Sequence, residues 1–344
     1  MLRKIQIFAG IILILVGEAQ SSETVSIIGV GDIMLGTNYP SKQYLPPNDG
    51  KNLLAEVNPI LRSADVTFGN LEGTILDQGP TIKTNCNNCY AFRMPERLAH
   101  NLVTAGFDVM SLANNHVRDF GTAGLQNTVK VLTKLGIEAA GLVSRPSVTF
   151  EKNGVTYGFA AFAPNTGTVS ILDLSNAERI IQKLDKTSDV VIVSFHGGAE
   201  GKEHQHVPKT TEFYYRENRG NVYQFAHAVI DAGADIVFGH GPHVTRAVEI
   251  YKNRFIAYSL GNFCTYGRFS LEGPKGIAPI IKVNVNKKGE FVNAQITPIV
   301  QSKINNVVKI DPKNRVIHKI RQLTQADFPK VNLKIDNNGL ISKL

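Results

Sequence analysis

Short β-branched runs that end on a carboxylate, an amide or an imidazole recur along this chain, and they constrain its fold more than any other feature. VSIIGVGD (residues 25 to 32) ends on Asp32, VTFGNLE on Glu72, and DVMSLANNH on Asn115 and His116. VVIVSFHGG carries His196, and ADIVFGHGPH carries His240 and His243. Between the runs lie helical spacings: NLLAEVNPILRSA (52 to 64), PERLAHNLVTAG (95 to 106), GLQNTVKVLTKLG (124 to 136), SNAERIIQKLDK (175 to 186) and NVYQFAHAVIDAG (221 to 233). Strand-length apolar runs alternating with amphipathic helices describe strands packed between helices, an α/β fold. Pro95 suits a first helical turn, and Gly106 and Gly136 are stop signals. VTFEKNGVTYGFAAFAP turns at Asn153-Gly154, the strongest two-residue hairpin signal, and further hairpins turn at Lys252-Asn253 and around Lys287 to Gly289. Hairpins beside helix-strand units make the sheets mixed rather than purely parallel. Residues 23–302 read as the folded domain. The polar, Lys- and Asn-rich stretch 303–344 reads as an appended tail with a short helix near Val316 to Leu323.

The first residues follow another rule. Arg3 and Lys4 precede an apolar stretch from Ile5 to Val16 and then a small and polar run from Gly17 to Ser22, the layout of a secretory signal peptide over residues 1–22. The stretch is shorter than the roughly 20 residues a spanning helix needs. The expectation is an exported protein, periplasmic or extracellular, with an uncleaved leader acting as a membrane anchor as the alternative. A formal charge of +8 spread along an exported chain points away from nucleic acid and toward an anionic polymer or a phosphorylated substrate. Three cysteines are too few for a disulfide scaffold. Cys86 and Cys89 form a lone CxxC without the second pair of a structural zinc site, and a local disulfide is the expected state.

The polar groups share one station, the carboxyl ends of strands, where α/β sheets build ligand sites. Any one motif is weak: a GD is often only a turn, and a lone histidine is often a satisfied core residue. Their recurrence is the signal. Asp32, Glu72, Asn115, His196, His240 and His243 together suit a divalent Mn, Fe or Zn ion without thiolate. Two ions about 3.5–4 Å apart would clamp the attacking and leaving oxygens of a phosphoryl transfer, and Glu72 is the type of ligand that bridges two. His116 stands beside Asn115 as a general acid, with Asp119 placed to orient its ring. His100 and His227 lie in amphipathic helices and read as structural. His204 and His206 fall in EGKEHQHVPKTTEFY, long enough for a lid or substrate loop. Glu200 is expected behind the ligands or on the substrate, and Arg93 and Arg118 are candidates for bidentate contact with an anion.

The series GDIMLG, GNLEGTI, SLANNHVRDFG, FHGGAE, IDAGADIVFGHGPHV and IAYSLGNF resembles the bacterial capsule-synthesis CapA family, the poly-γ-glutamate capsule proteins, from about Val25 to Val300. That family in turn resembles the calcineurin-like metallophosphoesterases. The resemblance implies a four-layer sandwich of two mixed β-sheets flanked by helices, and one or two metal ions. Under it Asp32 matches the first metal aspartate, Glu72 stands where a bridging aspartate is usual, and Asn115 matches the amide ligand. His116 matches the catalytic histidine, His196 the isolated histidine, and His240 with His243 the terminal pair. Two departures stand out. Met34 occupies the place of a histidine, so one ion loses a ligand, and Gly241-Pro242 separate the last pair where one residue is usual.

Three functional readings follow. The first is an exported, metal-dependent protein that makes, trims or anchors an anionic capsule polymer of the poly-γ-glutamate type. The second is a periplasmic metallophosphatase acting on small phosphoesters. The third is a non-catalytic scaffold that holds polymer or a membrane-bound capsule synthase. Oligomeric state is not legible at this level.

Overall fold

The computed structural model describes residues 24–84, 90–304 and 306–344; the leader and the Cys86/Cys89 pair lie outside these. Two mixed sheets dominate. The first runs Lys334–Ile335, Leu340–Ser342, Phe291–Val300, Ile277–Val285, Val25–Met34, Val66–Leu71, Val109–Ser111 and Glu138–Ala140 from edge to edge. The last four of these are parallel neighbours, and the first five pair antiparallel. Asn262–Thr265 joins in parallel beside the end of Val25–Met34. The second sheet runs Val248–Tyr251, Arg254–Ala257, Ile236–His240, Val190–His196, Val155–Phe162 and Ser147–Lys152, with its four central strands parallel and an antiparallel hairpin at each edge.

The strands alternate inward and outward side chains, and both faces of each sheet are apolar. Ile27, Phe68, Phe159, Ile192 and Phe238 fill the space between the sheets. The outer face of the first sheet packs on Leu61, Leu102 and Leu132, and that of the second on Ile181, Phe225 and Val229. Helix, sheet, sheet and helix thus form the four layers expected. Phe68 sits at the centre, its ring stacked on Phe238 at 5.5 Å and edge-on to His240 at 5.6 Å. It therefore ties the core directly to the site above it.

Local chemistry explains the element ends. Asp173 and Asn221 cap the helices Leu174–Asp185 and Val222–Asp231 by accepting the amides of Asn176 and Gln224. Gly106 ends His100–Ala105 at φ 89. Asn153 and Gly154 at φ 54 and 74, and Lys252 and Asn253 at φ 47 and 63, make the tight hairpins.

Two regions differ from the sequence reading. The helical spacing over 52–64 yields a single turn, Asn58–Leu61, with Pro59 in its first turn, where a residue without an amide is tolerated but cannot carry a helix through from the residues before it. The stretch 303–344, expected as an appended tail, adds short strands to the first sheet and a helix, Arg315–Asp327, that buries Val316, Ile317 and Ile320 in the inter-sheet core. Strands of two or three residues carry too little periodicity to be read. Asp327, at the end of that helix, holds the segment after His196: its Oδ1 lies 2.6 Å from His206 Nδ1, and its Oδ2 accepts Val207 N at 2.9 Å.

Candidate metal centre

The parallel strands of both sheets release their carboxyl ends on the same side, and the polar residues meet there. Asp32 lies near the end of its strand with Asn70 and Asn262 as register partners on either side. His196 and His240 are register partners on adjacent strands of the second sheet. Glycines immediately before two of these residues make the approach possible. A Cβ on Gly31 would stand 1.9 Å from the Gly261 carbonyl oxygen, and one on Gly239 would stand 2.3 Å from that of Tyr258. Only glycine allows backbone that close, which gives the GD and GH signatures a steric cause.

Asp32, fully buried, is the hub. Its Oδ1 meets Asn70 Nδ2 at 2.9 Å and His240 Nδ1 at 3.2 Å, and its Oδ2 meets His243 Nδ1 at 3.0 Å. The loop Gly241–His243 turns through positive φ at Gly241 (115) and His243 (57), which accommodates the two-residue spacing. His243 Nδ1 also lies 3.1 Å from Asn262 Oδ1, and its Nε2 lies 3.5 Å from Glu72 Oε1 and 4.0 Å from Glu200 Oε2. One ligand atom from each of Asp32, Glu72 and His243 fits within 4.8 Å of the others.

Buried polar atoms are normally satisfied. Here Glu72 Oε1 and Oε2, Asn115 Oδ1, His196 Nδ1 and Nε2, and His240 Nε2 are all buried without a hydrogen-bond partner among the described residues. These are carboxylate, amide and imidazole acceptors, the donor set of a borderline-hard divalent cation, so the residues present fit the metal their family resemblance implies. The electrostatics agree. Burial would raise Asp32, but hydrogen bonds from His240 and His243 outweigh it and hold the carboxyl well below the usual range. Burial, reinforced by Asp32, pushes Glu72 well above it. Burial opposes a charge on His243, yet Glu72 and Asp32 lift it to about 10. Burial and then Arg219 drive His196 well below an ordinary histidine. The cluster carries negative charge that its own groups neutralise only by holding protons, the setting in which a cation binds.

The acid side of the site is separately built. His116 Nδ1 lies 2.8 Å from Asp119 Oδ2, and Lys83 Nζ ion-pairs with Asp119 Oδ1 at 2.5 Å. Asp119 also accepts Phe92 N at 2.7 Å, and Asn114 Oδ1 accepts His116 N at 3.0 Å. Burial lowers His116 below the ordinary value, against the pull of Asp119. Phe92 lies 4.4 Å from the His116 ring and 4.7 Å from Phe269, which lies 5.6 Å from the His243 ring. Met34, in the place of the usual histidine, is buried against Phe92 and Phe269. That position is therefore part of an apolar wall, and the group near Asp32 that could hold a cation is Asp32, Glu72 and His243.

The remaining candidates fall in different places. Glu200 is ion-paired to Arg219 at 3.2 Å. Arg118 lines a surface hollow of about 370 Å³ with Lys83, Asn115 and Asn165. Arg93 is engaged elsewhere: Nε donates to Asn38 Oδ1 at 2.6 Å, Nη1 donates to the Gly79 carbonyl, and the guanidinium lies over the Tyr39 and Phe120 rings. His227 pairs with Glu249 at 2.9 Å. Sequence reasoning passed over Asn70, Asn114, Asn262, Lys83 and Arg219. Asn70 and Asn262 stand directly after glycine in GNLEG and LGNF, the same context that marks Asp32 and His240, and that signal was available.

A family model described as bacterial capsule synthesis protein PGA_cap matches residues 26–266. The capsule biosynthesis protein CapA of Bacillus anthracis is 27% identical over 267 residues, covering 71% of this chain and 60% of that protein. The PGA biosynthesis protein CapA of Bacillus subtilis (strain 168) is 29% identical over 271 residues, covering 72% of this chain and 64% of that protein. The chain thus spans less than two thirds of the length of these two relatives. Among solved structures, a 5'-nucleotidase precursor from Thermus thermophilus aligns over 88% of this chain and 59% of its own, with 12% identity and a TM-score of 0.46, a likeness of layered fold alone. With 26–266 matched, and the CapA proteins as relatives, this chain is a member of the bacterial capsule synthesis PGA_cap family.

Proposed function

We propose that this protein is an exported, metal-dependent hydrolase of the phosphoesterase type that processes or anchors an anionic capsule polymer of the poly-γ-glutamate kind. The observation that carries the reading is the set of buried, partnerless acceptors on Glu72, Asn115, His196 and His240 beside the Asp32–His243 pair. Asp32, Glu72 and His243 would hold a divalent cation, with Asn115, His196 and His240 offering further unpartnered donor atoms beside it. Bound there, such ions supply Lewis-acid polarisation of a phosphoryl or carbonyl oxygen and acidify water. The chain's own groups do the rest. Asp119 fixes His116 through Nδ1, which leaves Nε2 as the atom that hands a proton to a leaving oxygen. Lys83 balances the charge of Asp119. Phe92, Phe269 and Met34 exclude water between the acid and the metal cluster. The polymer and the export come from the family and from the leader at residues 1–22.

The test is metal content by plasma mass spectrometry on the chain purified without chelators, run with His196→Ala and His243→Ala, followed by hydrolysis of an aryl phosphate. Near-stoichiometric transition metal in the parent, its loss in both variants, and hydrolysis that falls at least about 100-fold in His116→Ala are expected. A metal-free parent that still binds poly-γ-glutamate would leave a scaffold role in its place.

A further inference from the structure

Two arginines are fully buried in the loops around His196, and they are treated differently. Arg246 is satisfied. Its Nη1 and Nη2 donate to Glu212 Oε1 and Oε2 at 2.8 and 2.7 Å, and its Nε donates to the His204 carbonyl at 2.8 Å. Glu212 in turn accepts Ala199 N at 3.0 Å. This pair is a structural rivet that fixes the segment after His196.

Arg219 is not satisfied. It is 1% exposed and follows the small hairpin Phe213–Tyr214 and Glu217–Asn218. Its backbone is pinned: Arg219 N donates to Glu212 O, and Arg219 O accepts Gly198 N, both at 2.9 Å. Its Nη1 donates to Glu217 Oε2 at 3.0 Å. Among the described residues Nε and Nη2 have no hydrogen-bond partner, although Nη2 lies 3.2 Å from Glu200 Oε1 as an ion pair. Nε and Nη2 are the side-on edge of the guanidinium, the fork that grips two oxygens of a carboxylate or phosphate. Glu200 reaches the other way as well, to 4.0 Å from His243 Nε2. An unsatisfied guanidinium edge therefore lies one carboxylate away from the candidate metal cluster, behind Gly197 and Gly198.

We infer that Arg219 forms an oxyanion subsite of the metal centre, its Nε and Nη2 edge taking two oxygens of a substrate phosphoryl or carboxylate group, with Glu200 holding the edge in place until the substrate arrives. This deepens the hydrolase reading and rests on it. The carboxylate of Glu200 competes with the incoming anion for the same edge, while the charge of Arg219 opposes the anion's repulsion from Asp32 and Glu72. Burial makes the fork strong: an anion that satisfies Nε gains a charge-assisted pair in a low-dielectric setting.

The experiment is calorimetric titration of metal-loaded protein with inorganic phosphate and, separately, with a short γ-linked glutamate oligomer, in the parent, Arg219→Gln, Arg219→Lys, Glu200→Gln and the Glu200→Gln/Arg219→Gln double variant. Metal content is measured on every sample. Arg219→Gln is expected to keep its metal and to lose about 10- to 100-fold in affinity for the anion it holds. Loss with phosphate alone assigns a phosphoryl group, loss with the oligomer alone a carboxylate, and loss with both a shared oxyanion site. Arg219→Lys recovers only part, because ammonium offers no planar fork. Glu200→Gln binds the anion more tightly than the parent, and that gain vanishes in the double variant; with a purely structural arginine, loss of the nearby carboxylate gives a gain that persists in the double variant. Parent-like affinity for both probes in Arg219→Gln, or a Glu200→Gln gain that persists in the double variant, overturns the subsite. If Arg219→Gln fails to fold, the Arg219→Lys arm still decides. A parent without metal sinks the hydrolase reading instead, and is seen before any anion is added.

Discussion

The two ends of the parallel strands carry the same kinds of residue and use them in opposite ways. At the entering ends an aspartate precedes each of four strands: Asp65, Asp108, Asp189 and Asp235. Each accepts a backbone amide of a neighbouring strand: Ser26 N, Thr67 N, Thr156 N and Val191 N respectively, at 2.8 Å in every case. Asp108 and Asp235 also hold Lys152 at 2.6 Å and Arg254 at 2.9 Å. At the leaving ends Asp32 is bonded only to other members of the site, and Glu72, His196 and His240 keep buried acceptors without partners. Residue type therefore does not separate structural acids from functional ones. What their oxygens meet does: backbone amides of the next strand at one end, other site residues or no hydrogen bond at the other.

The largest expected break in this comparison is at Glu72. Glu72→Gln should weaken metal binding by more than about 100-fold, read by metal titration against a competing chelator. The same change should raise the melting temperature of the metal-free protein, because a buried carboxylate that accepts no hydrogen bond and has only His243, 3.5 Å away, as a counter-charge is replaced by a neutral amide. A lower melting temperature would mean that this end is built like the other.

Asp235 gives the next effect, and it depends on pH. Burial pushes it up to about 6, against the amide of Val191 and the guanidinium of Arg254. The folded chain then holds this proton more tightly than the unfolded chain. Its contribution to stability is complete below about pH 4 and is lost as pH rises through 6. Between pH 4 and 7 the unfolding free energy of the parent should fall relative to Asp235→Asn by on the order of 2–3 kcal/mol, measured by denaturant titration at both pH values. Parallel profiles would show that Arg254 keeps Asp235 charged throughout.

A smaller effect is expected from Asp108→Ala, which leaves Thr67 N and Lys152 without their partner. Stability should drop by about 1–2 kcal/mol with metal content unchanged. A loss of metal here would show that strain passes along the strand from one end to the other.

Much of the fold is legible in the sequence because its signals are local. Asn153-Gly154 and Lys252-Asn253 dictate their hairpins, and the runs ending on Asp32, His196 and His240 are of strand length and apolar. The short strands of 303–344 are not legible, since their order comes from the sheet edge they join. The candidate site divides in the same way. Its acids and histidines stand out by type and station; Asn70 and Asn262 are marked only by the glycine before them, and Asn114 looks like an ordinary turn residue until the strands are aligned side by side. Arg93 and Arg118 had the right chemistry for an anion, but the buried guanidinium beside His196 is Arg219, brought there by a hairpin that pairs only four residues.

The clasp between Asp327 and the His206–Val207 segment joins two separately recognised parts of the chain. The shared family region closes at residue 266, so the helix that carries Asp327 lies outside it while holding down a loop inside it. In this chain, then, the position of the loop after His196 is set in part by a helix that the family match does not include.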